Sequence, residues 1–169
     1  GFWPQGHQRG WELALERGRL TVRASNALYV YPDLEFDAQM AELARRFSNS
    51  GDSLLRFNQA KIYVDGILEQ GTGALLGSYE PGSTLFEGKG NGLLYFDEGA
   101  LRRYSAALSQ AGFQLHYHVT GDRGARLALD AIEEAKPASG PHRLTHLYLV
   151  DEPDYPRSKQ LGAVADFQL

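Results

Sequence analysis

The densest polar run in the sequence is Leu115-His116-Tyr117-His118-Val119-Thr120-Gly121-Asp122. Residues two apart on a strand share a face, so His116 and His118 point the same way. Imidazole fills a buried sheet poorly, because each ring brings nitrogens that must find partners. A single buried histidine is more often a core residue bonded to a nearby carbonyl. A pair ahead of a Gly-Asp turn fits a reactive site better, since barrel and open-sheet enzymes place such groups at the C-terminal ends of their strands. His142 and His146 form a second pair, four apart on a strand-like run and sharing a face with Leu144. His146 lies deeper in that strand and is the better metal-ligand candidate. His142, beside Pro141, fits a cap where the strand begins. Lys61 is the third unusual residue, sharing a face with Tyr63 and Asp65 in Ala60-Lys61-Ile62-Tyr63-Val64-Asp65. A lysine inside a buried strand needs a partner or a chemical use. The simplest reading is an ion pair with Asp65 or Asp122. The sharper one is a carboxylated lysine whose carbamate oxygens bind a metal.

The remaining polar residues read more plainly. Asp122 suits the N-cap of the helix that follows Gly121. Asp130, Glu133 and Glu134 read as a solvated helix face. Asp151-Glu152-Pro153-Asp154 reads as a solvated turn rather than a cation site, because Pro153 limits how its carboxylates converge. Trp3, Trp11 and the nine tyrosines show no helical or repeating pattern of a binding box.

Strands are expected over residues 20–30, 57–64, 113–119 and 143–150, with a weaker one from 164 to 169. Between them, residues 37–47 carry Met40, Leu43 and Phe47 at helical spacing behind a candidate Asp37 cap. Residues 97–110 form a helix capped by Asp97 and followed by Gly112. Residues 122–136 form the clearest helix, with Leu127, Leu129, Ile132 and Ala135 as its apolar stripe and a break over 137–141. A short helix fits 154–161, and the glycine-rich stretch 66–94 is a loop with short elements. Such alternation indicates βαβ units around a parallel sheet. Apolar residues on both strand faces agree with that. A doubly wound sheet and a segment of a (β/α)₈ barrel both fit. No strand is followed by a glycine-rich nucleotide-binding turn.

At 169 residues the chain is expected to be a single domain, against a prior of about 150 residues per domain. Its 43% hydrophobic and 22% charged residues are ordinary globular composition. A net charge of −4 and basic residues in runs no longer than two leave no footprint for nucleic acid. Without cysteine there is neither a disulfide nor a thiolate zinc site. No apolar run approaches the ~20 residues of a membrane span, so no membrane partner is expected. The opening Gly1-Phe2-Trp3-Pro4 has no initiator Met and no signal pattern. It reads as a chain cut from something longer, with the cytoplasm as the expected location.

Several motifs assemble into a family pattern. Lys61-Ile62-Tyr63-Val64-Asp65-Gly66, followed by Gly71-Thr72-Gly73-Ala74-Leu75-Leu76, resembles the "K-hydrophobic-F-x-D-G … T-A-x-L-L" block of the amidohydrolase 3 family, whose members include N-substituted formamide deformylases. His118-Val119-Thr120-Gly121-Asp122-Arg123-Gly124-Ala125, with Leu129-Asp130-Ala131-Ile132-Glu133, is similar to its "H-A-I-G-D-R-A … L-D-A-x-E". His142-Arg143-Leu144-Thr145-His146 resembles "R-H-R-I-E-H", and the run from Leu161 to Gln168 resembles "L-G-V-x-x-S-x-Q-P". The stretch Arg17-Gly18-Arg19-Leu20-Thr21-Val22-Arg23 is similar to what precedes the family's third strand.

The resemblance implies an α/β fold, a partial (β/α)₈ TIM barrel holding about strands three to seven. It implies a hydrolase of non-peptide, amide-type C–N bonds in small molecules, working through a divalent metal, expected to be zinc. By similarity His118 ends strand five and His146 ends strand six, both metal positions, and Lys61 matches the lysine that is carboxylated in binuclear members. His116, His142, Asp65 and Asp122 become supporting or substrate-binding residues, and no residue is assigned as the catalytic acid or base. The departures are specific. The family's strand-one H-x-H and strand-eight aspartate have no counterpart here, Thr145 stands where the family has glutamate, and Gly73 where it has alanine. The site is therefore expected to be partial and the isolated chain weakly active or inactive. The alternative is a catalytically incomplete barrel relic or binding module. Either way, open sheet edges are expected to drive homo-oligomerisation.

Overall fold

A computed structural model describes residues 5–85, 90–135 and 140–168, with side chains described from residue 7. The opening four residues with Trp3, the Lys136 end of the expected helix, the first part of the break after it and Leu169 lie outside the described residues.

The elements run α1 (Gln5–Glu16), β1 (Ala24–Tyr29), α2 (Phe36–Arg46), β2 (Leu55–Tyr63), α3 (Glu98–Gln110), β3 (Gln114–Val119), α4 (Asp122–Ala135), β4 (Arg143–His146), α5 (Tyr155–Gln160) and β5 (Val164–Asp166). All five strands are parallel, and they lie side by side in chain order. That order separates the two architectures. A doubly wound sheet reverses its strand order at a switch point, whereas a barrel segment advances one strand at a time. The sheet is a partial TIM-barrel-like α/β fold.

One sheet face is packed under helices. Ala60, Ile62, Leu115, Tyr117, Val119 and Leu144 are fully buried there. They meet Leu101 and Leu108 of α3 and Leu129 and Ile132 of α4 in one core. Tyr117 is accommodated because its hydroxyl donates to Ser105 Oγ at 2.8 Å, as a buried phenol requires. Among the described residues no helix is long and apolar enough to cross a membrane.

The differences from the sequence reading are local. Helix α1 was not expected: Gly6 and Gly10 interrupt its period, and an Arg9–Glu16 pair at 2.6 Å braces its exposed side. Strand β1 starts at Ala24 rather than Leu20, because the Arg19 and Leu20 N–H groups bond back to Ala14 O and finish α1. Helix α2 is capped by Glu35, whose carboxylate accepts the Asp37 and Ala38 N–H groups, so Asp37 is not the cap. Asp97 caps α3 as expected, accepting from Ala100 N.

The acidic residues Glu133 and Glu134 on α4 do lie on an exposed face, and with the half-buried Asp130 they are paired there. Arg157 reaches Asp130 at 2.7 Å and Glu133 at 2.8 Å, and Arg102 pairs with Glu134. The 151–154 segment is not a solvated turn. Asp154 is only 2% exposed and receives both Arg126 (2.9 Å) and Arg157 (3.0 Å), while Asp151 takes Arg126 at 2.6 Å. The cations this segment binds are guanidinium groups from α4 and α5, held in forked geometry.

Candidate functional site

Partnered residues on neighbouring parallel strands face the same way. One aligned row is Tyr29, Lys61, His116 and Arg143; the next, nearer the C-terminal ends, is Tyr63, His118, Thr145 and Asp166. These rows lie on the face opposite the helix-covered core. His116 and His118 therefore share a face, and Lys61 and Tyr63 join them there.

Asp65 organises the end of β2. It is fully buried, and its carboxylate accepts the N–H groups of Ala74 (2.9 Å), Thr120 (2.9 Å) and Gly121 (2.8 Å). Burial pushes its pKa up, and those donors, Gly121 first, oppose the rise. Asp122 is similarly engaged, accepting from Leu76 N and from Arg123 N at 2.9 Å each. Asp122 is the first residue of α4 rather than its expected N-cap, and its carboxylate ties the β2–α3 loop to the start of that helix. With both carboxylates occupied by backbone donors, the expected Lys61 ion pair with Asp65 or Asp122 does not form. Lys61 is half-buried, with Nζ 5.3 Å from the centre of the Tyr63 ring. Burial lowers its pKa to about 8; Asp166 opposes the shift and Arg143 adds to it.

His118 is 7% exposed, and its Nε2 lies 2.9 Å from the Gly66 carbonyl oxygen. A carbonyl only accepts, so Nε2 carries the proton. Nδ1 is then a bare lone pair, and it is buried without a hydrogen-bond partner. Burial lowers the His118 pKa to about 4, against the Gly66 bond, so the ring is neutral near pH 7. The Tyr63 ring stacks on it, centroids 4.3 Å apart.

His146 comes to His118 by an unusual route. Its register partner Val119 is on the helix face, and ordinary alternation would put His146 there with Leu144 and His142. Instead His146 has φ 83° and Leu147 φ 48°. This departure ends the pleat and swings the His146 ring into edge contact with His118, centroids 4.7 Å apart. Strain of this kind in non-glycine residues is characteristic of functional positions. His146 Nδ1 lies 3.2 Å from Gln168 O, which makes Nδ1 the donor and leaves Nε2 as the acceptor. The expectation that His142 and His146 share a face is thus corrected. His142 is 1% exposed, and its Nδ1 accepts the Leu115 N–H at 3.0 Å; burial lowers its pKa to about 4.

His116 Nε2 meets Thr145 Oγ1 at 2.6 Å. Its pKa is lowered to about 4, by burial first and then by Lys61 and Arg143. Thr145 drew attention in the sequence only as a departure from a motif, and its contact with His116 appears only once β3 and β4 are paired. The tyrosines converge as well. Tyr31, Tyr29, Tyr63, His118, His146 and Tyr148 form an unbroken chain of ring contacts, with centroids 4.3 to 5.8 Å apart. Spacing along the chain hid this cluster, because its members come from separate strand ends.

The donor set suits a divalent metal in part. His118 offers Nδ1 and His146 offers Nε2, with the opposite nitrogen of each ring bonded to a backbone carbonyl, the usual way a protein orients ligating imidazoles. Among the described residues, however, no group of three or more His, Cys, Asp or Glu could hold a metal ion. A model of the amidohydrolase family matches residues 10–169. The chain belongs to the amidohydrolase family. Two solved structures resemble this amidohydrolase chain over 95% of its length. One, described as an uncharacterized metal-dependent hydrolase from Pyrococcus furiosus, is 25% identical with a TM-score of 0.75. The other, an uncharacterized metal-dependent hydrolase from Pyrococcus horikoshii OT3, is 21% identical with a TM-score of 0.76 and supports the fold alone. The amidohydrolase chain spans 31% and 30% of the length of these two proteins. No curated protein matches it.

Proposed function

We propose that this chain supplies part of the metal site of a hydrolase that cleaves amide-type C–N bonds in small molecules. The observation that carries the reading is the bare, buried Nδ1 of His118, with the strained His146 turned beside it. His118 and His146 would hold the metal, and Lys61 would join them as a carbamate. The lowered pKa of Lys61 enlarges the fraction of neutral amine that reaction with carbon dioxide requires. A divalent metal held by these residues, zinc being the ion the family resemblance implies, would supply the Lewis acidity that activates water and polarises a scissile carbonyl. The protein's own part is orientation: Gly66 O and Gln168 O fix the two rings, and Thr145 fixes His116. Substituted formamides are the first substrates to test, and the ring chain from Tyr31 to Tyr148 favours those with an aromatic substituent.

The test is zinc content, by elemental analysis, of the purified chain and of His118→Ala, followed by hydrolysis of an N-substituted formamide panel. Stoichiometric zinc that His118→Ala abolishes is the expected result, with little turnover from the chain alone. A second reading, an incomplete barrel relic or binding module, is favoured because the described residues include no group of three or more His, Cys, Asp or Glu that could hold a metal ion. A chain that binds no zinc at millimolar metal would establish that reading instead.

A further inference from the structure

Two donors converge on the Gly66 carbonyl: His118 Nε2 and Thr120 Oγ1, each at 2.9 Å. That carbonyl decides which nitrogen of His118 stays free, so whatever fixes Gly66 fixes the ligand atom. The residue before it is Asp65. Its Oδ1 takes the Thr120 N–H, and its Oδ2 takes the N–H groups of Ala74 and Gly121. One buried carboxylate thereby locks the end of β2 to the end of β3 and to the loop between β2 and α3. The Thr120 hydroxyl closes the loop, reaching from backbone held by Asp65 to the Gly66 oxygen. The fit is close. A Cβ at Gly66 would collide with the Thr72 side chain, and one at Gly124 would lie 2.7 Å from Asp65 Oδ2.

We propose that Asp65 is a positioning residue for metal binding: through Thr120 and Gly66 it holds His118 as the Nε2–H tautomer, with Nδ1 bare. This rests on the reading of His118 as a ligand. A carboxylate serving only the core would stabilise the fold equally well whichever His118 nitrogen were protonated. Here the acceptor it immobilises is the bonding partner of the ring itself. Asp65 acts through hydrogen bonds alone and touches neither metal nor substrate.

The experiment uses the full chain, ¹⁵N-labelled and zinc-free, with long-range ¹H–¹⁵N spectra that report the protonated nitrogen of each histidine. Zinc affinity is measured alongside by calorimetry. In the wild type His118 is expected as a single Nε2–H tautomer. Asp65→Asn sets an amide NH₂ against backbone donors. It is expected to give a mixture of His118 tautomers and to weaken zinc binding about 10- to 100-fold, the usual range for loss of an orienting partner. The His146 tautomer should not change. Thr120→Val supplies an independent arm should Asp65→Asn fail to fold: it should shift His118 in the same direction to a smaller extent, and Thr120→Ser should restore it. A wild-type His118 protonated on Nδ1 overturns the proposal, as do folded variants that keep both the tautomer and the zinc affinity. Zinc binding that survives His118→Ala defeats the ligand reading instead, while the tautomer result stands on its own.

Discussion

His142 shows what a buried imidazole costs at acid pH. Burial holds its pKa at about 4, below the ordinary value of 6.5, so the unfolded chain binds the proton first as pH falls. Stability from this residue is complete above about pH 6.5, falls with acidification and is lost by about pH 4. The neutral form is worth about 3 kcal/mol across that window. Urea denaturation at pH 7.5 and pH 5 should show the wild type losing stability on acidification, with a shallower loss in His142→Gln. An equal loss in both proteins would remove His142 from the account. The pairing of His116 with His118 on one face was legible in the sequence, because strand alternation is local. The place of His146 was not: alternation argued for the helix face, and a positive φ at the strand end reversed it.

At the scale of elements, α5 is a helix of six residues held by charge. Asp154, nine-tenths buried and more, joins Arg126 of α4 to Arg157 of α5. Removing Asp154 takes one carboxylate from each arginine, while Arg126 keeps Asp151 and Arg157 keeps Asp130 and Glu133, so the cost is about 2 kcal/mol. Asp154→Ala should therefore lower the urea midpoint clearly and loosen α5, seen as faster amide exchange over 155–160. The exposed Glu42 pairs with Arg45 and Arg46, and Glu42→Gln should leave the midpoint unchanged within error. Sequence reasoning found α3, α4 and β3, where caps and apolar periods agree, while the strand expected over 143–150 stops at His146, where the positive φ of His146 and Leu147 ends it. It missed the charge network because Asp154, Asp130 and Arg157 meet only after α4 and α5 dock.

At the scale of the whole molecule, the sheet ends in two open edges, β1 and β5. A groove of about 520 Å³ runs along β1 between α1 and α2, walled by Trp11, Leu28, Leu43 and Phe57. At the other edge Val164 is 40% exposed and Phe167 70%. Unpaired parallel edges flanked by apolar surface favour association. The chain is expected to sediment as a dimer or larger species at micromolar concentration, and a single monomeric boundary would count against edge pairing. The sequence by itself determined the parallel α/β alternation and the family, because motif order and side-chain periodicity are written along the chain. Only the tertiary structure chose the one-directional sheet over the doubly wound one, by showing strands adjacent in chain order. It also took Asp65 and Asp122 away from Lys61 and gave them to backbone N–H groups, and it brought the His146 ring into edge contact with that of His118. Those outcomes depend on which distant backbone donors and rings come within about 3 to 5 Å of one another, a property of the packed molecule and not of spacing along the chain.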